Sequence, residues 1–285
     1  MIGRVLRALV ESDTDERLEI VVVANGCTDD TALVAAAASP RITVVDIATP
    51  SKIAALNAGD AAATAFPRAY LDADIAITAQ AICAVADRLG TDGPPYAGAP
   101  RFLIDTEGAS LPVRMYYRVW ELSDYRRRGM VGSGIYVVSA AGRARWGAFP
   151  DVIADDLYAQ REFEPHERLV AEDQVFTMRA PLTFRSFVRR QTRIVAGNYE
   201  FSGQFPDLDH EGGARSTWAL VGRVSVRPWL WPAAVVYLVA STLPRVHAAR
   251  LRARGVGQSW NRDQTSRDAV SEPDTVPAVR FAPEP

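Results

Sequence analysis

Leu18-Glu19-Ile20-Val21-Val22-Val23-Ala24 runs straight into Asn25-Gly26-Cys27-Thr28-Asp29-Asp30-Thr31. The first seven residues are an apolar, β-branched run of strand length and read as a buried strand. Asn-Gly is a turn signal, and Thr28 or Asp29 offers a side-chain oxygen to cap a helix that begins near Thr31. Working outward, Arg41-Ile42-Thr43-Val44-Val45-Asp46 reads as a second strand, and Ser51-Lys52-Ile53-Ala54-Ala55-Leu56-Asn57-Ala58-Gly59 as a capped helix. A third strand ends at Tyr70-Leu71. Strand, turn, helix, strand, helix, strand is the order of an open α/β sheet, mixed but mainly parallel, with helices on its faces. Ligands bind such sheets at the carboxyl ends of the strands.

The third strand runs into Asp72-Ala73-Asp74-Ile75. Residues i and i+2 of a strand point to the same side, so both carboxylates could face one cation. Buried carboxylates at a strand end need a partner or a metal. Mg²⁺ and Mn²⁺ take oxygen ligands and often share them with substrate phosphates. A lone Asp-x-Asp is more often a turn or a helix cap, so this pair gains its meaning from the segments around it.

Those segments carry a resemblance. Asn25 to Thr31 is similar to the Asp-Gly-Ser-Thr-Asp-Asp-Thr turn of family 2 glycosyltransferases of the GT-A fold. Lys52 to Gly59 resembles their Lys-x-x-Ala-Leu-Asn-x-Gly segment, and Asp72-Ala73-Asp74 their DxD. Ile153-Ala154-Asp155-Asp156 resembles the Thr-Glu-Asp motif, and Arg190-Gln191-Thr192-Arg193-Ile194 a degraded Gln-x-x-Arg-Trp. The likeness extends over roughly residues 2 to 200. It implies a metal-dependent transferase of hexosyl type that moves a sugar from a nucleotide-sugar donor to a hydroxyl acceptor with inversion. By the same resemblance, Asp74 and Asp72 form the site for Mg²⁺ or Mn²⁺, with Asp74 the direct ligand and Asp72 contacting the ribose or a metal-bound water. Asp156 is the general base, with Asp155 beside it orienting the acceptor. Asn25 contacts the base, Lys52 and Arg193 the diphosphate, and Gln191 takes over contacts of the lost glutamine. Ile194 stands in the place of a tryptophan that packs on the acceptor sugar in processive synthases, which points to the addition of one or a few sugars. Two other readings compete: a catalytically impaired, membrane-peripheral scaffold derived from a transferase, and a nucleotidyltransferase. The latter would want a glycine-rich, basic phosphate loop near the N-terminus, and none is present.

Bulk properties narrow the field. The chain has 285 residues, of which 48% are hydrophobic, enough for one large core. A formal net charge of −2 offers no overall basic field for nucleic acid. Cys27 and Cys83 make neither a metal spacing nor a disulfide framework, and His166, His210 and His247 are scattered. Met1 to Arg17 lacks the apolar core of a signal peptide. Instead, apolar residues at 2, 5, 6, 9 and 10 read as the helix that follows the family's first strand. That strand is therefore expected to be missing, with the start codon internal to a longer gene. Its absence would leave unpaired strand edges and an open apolar slot.

Toward the C-terminus the character changes. Val113 to Arg128 is amphipathic and rich in aromatics and arginine: either a helix packed on the sheet or part of an acceptor groove. Gly129 to Tyr136, glycine-rich, crosses into a strand that the family places beside the sugar. Residues 228 to 244 carry no charge, begin with Trp229 and Trp231, and are flanked by Arg223, Arg227, Arg245, Arg250, Arg252 and Arg254. Too short for a comfortable bilayer span, the run reads as a helix dipping into one leaflet. The expected organisation is a GT-A domain over 1–205, a helical membrane-associated segment over 206–254 and a disordered tail over 255–285. That places the protein at the cytoplasmic face of the cell membrane, near a lipid-linked or polysaccharide acceptor of envelope or glycolipid synthesis.

Overall fold

A computed structural model describes residues 2–123, 133–208 and 214–253. The expectations for Gly129 to Gly132, for Tyr125 to Arg128 and for the tail over 255–285 lie outside the described residues. The chain runs α1 (Ile2–Ser12), β1 (Ile20–Asn25), α2 (Thr31–Ala38), β2 (Ile42–Ile47), α3 (Lys52–Ala62), β3 (Arg68–Leu71) and α4 (Ala79–Ala86). It continues through β4 (Ala97–Asp105), α5 (Leu111–Trp120), β5 (Ile135–Val138), α6 (Ala140–Arg143), α7 (Asp155–Arg161) and β6 (Arg168–Arg179). Three longer helices close it: α8 (Phe184–Gln204), α9 (Ala214–Ser225) and α10 (Trp231–Ala253).

The α/β expectation holds, and the pairing is mixed. β1 and β2 run parallel, as do β4 and β6, while β5 runs antiparallel to both β3 and β4. β5 alone reverses direction in the second sheet, so β3, β4 and β6 run the same way and the sheet is mixed. That sheet has the order β3-β5-β4-β6 and is separate from the β1-β2 pair. Among the described residues no backbone hydrogen bond joins β1 to β3. A cleft lies between the two sheets, lined by Val22 and Val23 of β1 and by Ala69 and Leu71 of β3.

Alternation along the strands fixes the two cores. In β5, Ile135 and Val137 join a cluster with Val5, Leu6 and Leu9 of α1 and Ile82 and Val85 of α4. Tyr136 and Val138 point the other way, into a cluster with Ile53 of α3, Trp146, Tyr158 and Phe163. A strand buried on both faces reads as an unbroken apolar run, which Ile135-Tyr136-Val137-Val138 is. β3 obeys the same period: Ala69 and Leu71 face the first cluster, Tyr70 the second. The fully buried Phe163 and Phe176 each contribute about 1.5–3 kcal/mol by leaving water.

The Asn-Gly turn forms as read. Gly26 has φ +56°, and a Cβ there would stand 2.7 Å from Pro50, so only glycine fits. Ser51 caps α3 by accepting the Ala54 N–H at 3.2 Å, and Asp29 Oδ1 accepts the Thr31 N–H at 3.2 Å ahead of α2. Beneath β3, the nearly buried Asp60 binds Arg68 and Arg143, both at 2.6 Å, and accepts the Tyr70 hydroxyl at 2.8 Å. Removing the carboxylate leaves two buried guanidinium groups without a counter-charge. Asp60→Ala is expected to cost about 3–5 kcal/mol, the range for breaking a buried pair. Denaturant unfolding checks this; a midpoint within error of wild type would refute it.

α5, α8 and α10 form a third layer. Tyr116 stacks on Tyr237 of α10 with centroids 4.9 Å apart and tilts against Phe187 of α8 at 4.5 Å. Tyr116 and Tyr117 are buried, so for them the packing reading holds rather than the acceptor groove. α10 thus shares a core with the first 205 residues through Tyr237 and Ala240. Pro232 is its second residue, in the first turn, where no hydrogen bond is lost. Among the described residues no single helix is long and apolar enough to cross a membrane. Thr217–Ser225 and Pro228–Ala253 have that length and composition only together, and they are bent by 115°. The outward side of this pair is strongly apolar: Trp218, Trp229 and Trp231 are 74%, 71% and 57% exposed, with Val235, Leu238 and Val239 beside them.

Candidate active site

The carboxyl ends of β1 and β3, the N-termini of α3 and α7, and one side of α8 meet around the cleft. Asn25, Lys52, Asp72, Asp74, Asp155, Asp156, Gln191 and Arg193 all line it. The depression is long and also takes in Arg17, Asp87, Tyr237 and Arg245; within it, Lys52, Asp72, Asp155 and Asp156 line one small cavity.

The DxD is not part of a strand. β3 stops at Leu71, and Asp72 to Asp74 form a turn closed by the Ile75 N–H donating to the Asp72 carbonyl at 3.1 Å. The strand argument for two acids on one side does not apply, because the backbone turns between them. The turn is seated on β5: the Asp72 N–H donates to the Gly134 carbonyl at 2.8 Å. Gly134 has φ +98°, and a Cβ there would strike Ile75 at 2.8 Å. Asp74 opens to solvent, yet the cleft walls withdraw it from bulk water enough to push its pKa up, with Asp72 adding to the rise and Arg190 opposing it.

Asp72 instead meets Lys52. The ammonium Nζ lies 2.9 Å from Asp72 Oδ1 and 3.0 Å from Asp155 Oδ1. The Asp155 side chain is only 4% exposed. Burial pushes its pKa up to about 6, Lys52 pulls it back, and Asp156 and Asp72 add to the rise. Burial alone would depress the Lys52 ammonium, but Asp72, Asp155 and Asp156 together raise it above its ordinary value. Although both acids stand in the first turn of α7, Asp155 does not face solvent. Asp156 is half-buried; its Oδ2 accepts the Ser133 N–H at 3.1 Å and its Oδ1 the Leu157 N–H at 2.8 Å. These two donors fix the plane of the carboxylate.

Two further groups belong to this site. Tyr136 lines the small cavity between Lys52, Asp72, Asp155 and Asp156. Its hydroxyl is buried without a hydrogen-bond partner. Burial beside Asp155 holds its pKa well above the usual tyrosine value. In sequence it is one more apolar strand residue, and only the position of α7 marks it. Arg190, which the motif gives as a mere replacement, sits on α8 one turn before Arg193, touches Met178 Sδ and acts electrostatically on Asp74. Ile194 is 41% exposed and lines the cleft.

The donor set is all carboxylate, with one ammonium set against Asp72, Asp155 and Asp156, and an orphaned hydroxyl beside it. This excess of hard oxygen ligands suits Mg²⁺ or Mn²⁺. Among the described residues no three acidic, His or Cys side chains already converge as a ligand set. Lys52 occupies the point between Asp72 and Asp155.

The profile of the family described as Glycosyl transferase family 2 matches residues 1–146, more than half of the chain. The chain belongs to glycosyltransferase family 2. The chemistry of this transferase is accordingly the transfer of a sugar from a nucleotide-sugar donor. Among solved structures it is similar to the mannosyltransferase PcManGT from Pyrobaculum calidifontis, described in complex with GDP-Man and Mn²⁺. That match has a TM-score of 0.60 and 20% identity, and covers 90% of this chain and 84% of the other. At that identity the likeness establishes the GT-A fold alone. No curated protein matches the transferase.

Proposed function

We propose that this protein is a metal-dependent, inverting hexosyltransferase that transfers sugar from a nucleotide-sugar donor to a hydroxyl acceptor. The observation that carries the reading is the meeting of Lys52, Asp72 and Asp155 in one ion-pair cluster, with Asp156 beside it. When bound, Mg²⁺ or Mn²⁺ supplies Lewis-acid neutralisation of the leaving diphosphate, with Asp74 and Asp72 as the residues that hold it. Asp156 takes the proton of the attacking hydroxyl, in the orientation set by Ser133 and Leu157. Asp155 keeps Lys52 in place and orients the acceptor. Arg193 offers its donor fork to the diphosphate, Gln191 adds a polar contact, and Asn25 binds the base with both a donor and an acceptor. A single base and in-line attack invert the anomeric centre. Ile194 gives no aromatic platform for a growing polymer, which supports the addition of one or a few sugars. The relative crystallised with GDP-Man makes GDP-mannose the first donor to try. A calorimetric screen of nucleotide sugars with Mn²⁺ tests the reading; no binding of any donor would refute it.

We further propose that the protein works at the cytoplasmic face of the membrane, on a lipid-linked or polysaccharide acceptor of the cell envelope. Trp218, Trp229, Trp231 and the aliphatic row of α10 make an exposed apolar surface, with Arg227 and Arg245 nearby. Deleting the segment would also uncover Tyr116, so substitution is the cleaner test. Exchanging Trp218, Trp229 and Trp231 for Ser is expected to weaken binding to anionic liposomes at least about tenfold, a loss of roughly 1.4 kcal/mol or more. Unchanged cosedimentation of the triple variant would refute the membrane assignment.

A further inference from the structure

Lys52 opens α3, where helix electrostatics favours an acid. The first turn of α3 holds no acidic residue, and a cation there faces the positive end of the helix dipole. Helix stability therefore does not account for the residue. Its side chain leaves the helix and ends between two carboxylates of unlike character. Asp155 is almost wholly enclosed, whereas the Asp72 side chain is 40% exposed and opens on the cleft. One contact is thus anchored and the other accessible. The ammonium puts a positive charge beside the carboxylate that a divalent cation would use, and it consumes one of the Asp72 oxygens. An incoming cation must displace that charge and meets its repulsion.

We propose that Lys52 is a tethered counter-cation that keeps a bare divalent ion off Asp72, and that the diphosphate of the donor admits the ion by drawing the ammonium away. The proposal rests on the metal-dependent reading above. A diphosphate in the cleft carries more negative charge than Asp72 and competes for the same ammonium. Asp155 retains its side of the contact, so the displacement needed is a short swing of a flexible four-carbon stem. Asp72 is then released to oxygen-seeking metal, and the diphosphate completes the coordination. Metal and nucleotide bind as a coupled pair, and by linkage each strengthens the other by the same factor. In the absence of donor, the ion pairs with Lys52 hold Asp72 and Asp155 together.

The experiment is an electron paramagnetic resonance titration of Mn²⁺ against the full chain, with and without UDP or GDP, for wild type, Lys52→Met, Lys52→Gln and Lys52→Arg. Wild type should bind Mn²⁺ at least about tenfold more tightly once a nucleoside diphosphate is present. Both neutral variants should bind Mn²⁺ alone at least about tenfold more tightly than wild type, with the coupling to nucleotide reduced. Lys52→Arg, which keeps the charge, should follow wild type. Bare Mn²⁺ affinity unchanged in folded Met and Gln variants would overturn the proposal while leaving the metal reading intact. Wild type that binds Mn²⁺ equally well with and without nucleotide would overturn it without recourse to any variant. Absence of Mn²⁺ binding under every condition would overturn both.

Discussion

Asp156→Asn is expected to lower turnover by about 10²–10⁴-fold, the range for loss of a positioned general base. Donor affinity should stay within about twofold of wild type, since an interaction made only in the transition state contributes nothing to ground-state binding. The substitution is nearly isosteric. Asparagine still has a carbonyl to accept the Ser133 N–H, so the start of α7 and the neighbouring Asp155–Lys52 pair remain in place. The ability to take a proton is removed together with the second acceptor, the oxygen that receives the Leu157 N–H. Initial rates and calorimetric binding of the nucleotide sugar separate the two effects. A parallel loss of donor affinity would make Asp156 a structural or ligand-holding residue, and the base would have to be sought elsewhere.

Asp74→Asn is expected to abolish transfer and to weaken metal-dependent nucleotide binding at least about tenfold, as loss of a metal contact commonly does. The fold should survive, because Asp74 lies exposed in the turn after β3. The measurement is nucleotide binding with Mn²⁺ and again with chelator. In wild type the two should differ, and in the variant they should converge. Full Mn²⁺-dependent binding by the variant would remove Asp74 from the cation site and leave Asp72 and Asp155 as its candidate ligands.

Much of this site is legible in the sequence because it sits where local rules are strong. The run Ile20–Val23 ends in a turn that only Gly26 can make, and Ser51 starts α3 by a cap any reader of the chain would place. Those rules deliver Asn25, Lys52 and Asp72 to the same end of the sheet. The conformation of the DxD was less legible. Nothing in Leu71-Asp72-Ala73-Asp74 marks where β3 stops, because the chain turns there against Gly134, at φ +98° and far along the chain. The partners of Lys52 were equally hidden, since its ammonium is placed by the packing of α3 against α7 and not by its neighbours. Arg190 and Tyr136 were passed over for the same reason. One looked like a lapse in a motif and the other like an ordinary strand residue, until α7 and α8 brought acids beside them.

Asn25 and the Asp72–Asp74 turn belong to different sheets, β1-β2 and β3-β5-β4-β6. Strands laced by backbone hydrogen bonds lock residue against residue, and sliding one past the other breaks several bonds at once. Side chains packed across a seam impose no such register; dispersion contacts are many, weak and exchangeable over small displacements. Residues of α1, α4, β1 and β5 in the first core join the two sheets by side-chain contact. Asn25 stands on one wall and the Asp72–Asp74 turn follows the other. A donor that grips both acts as a bolt across the joint.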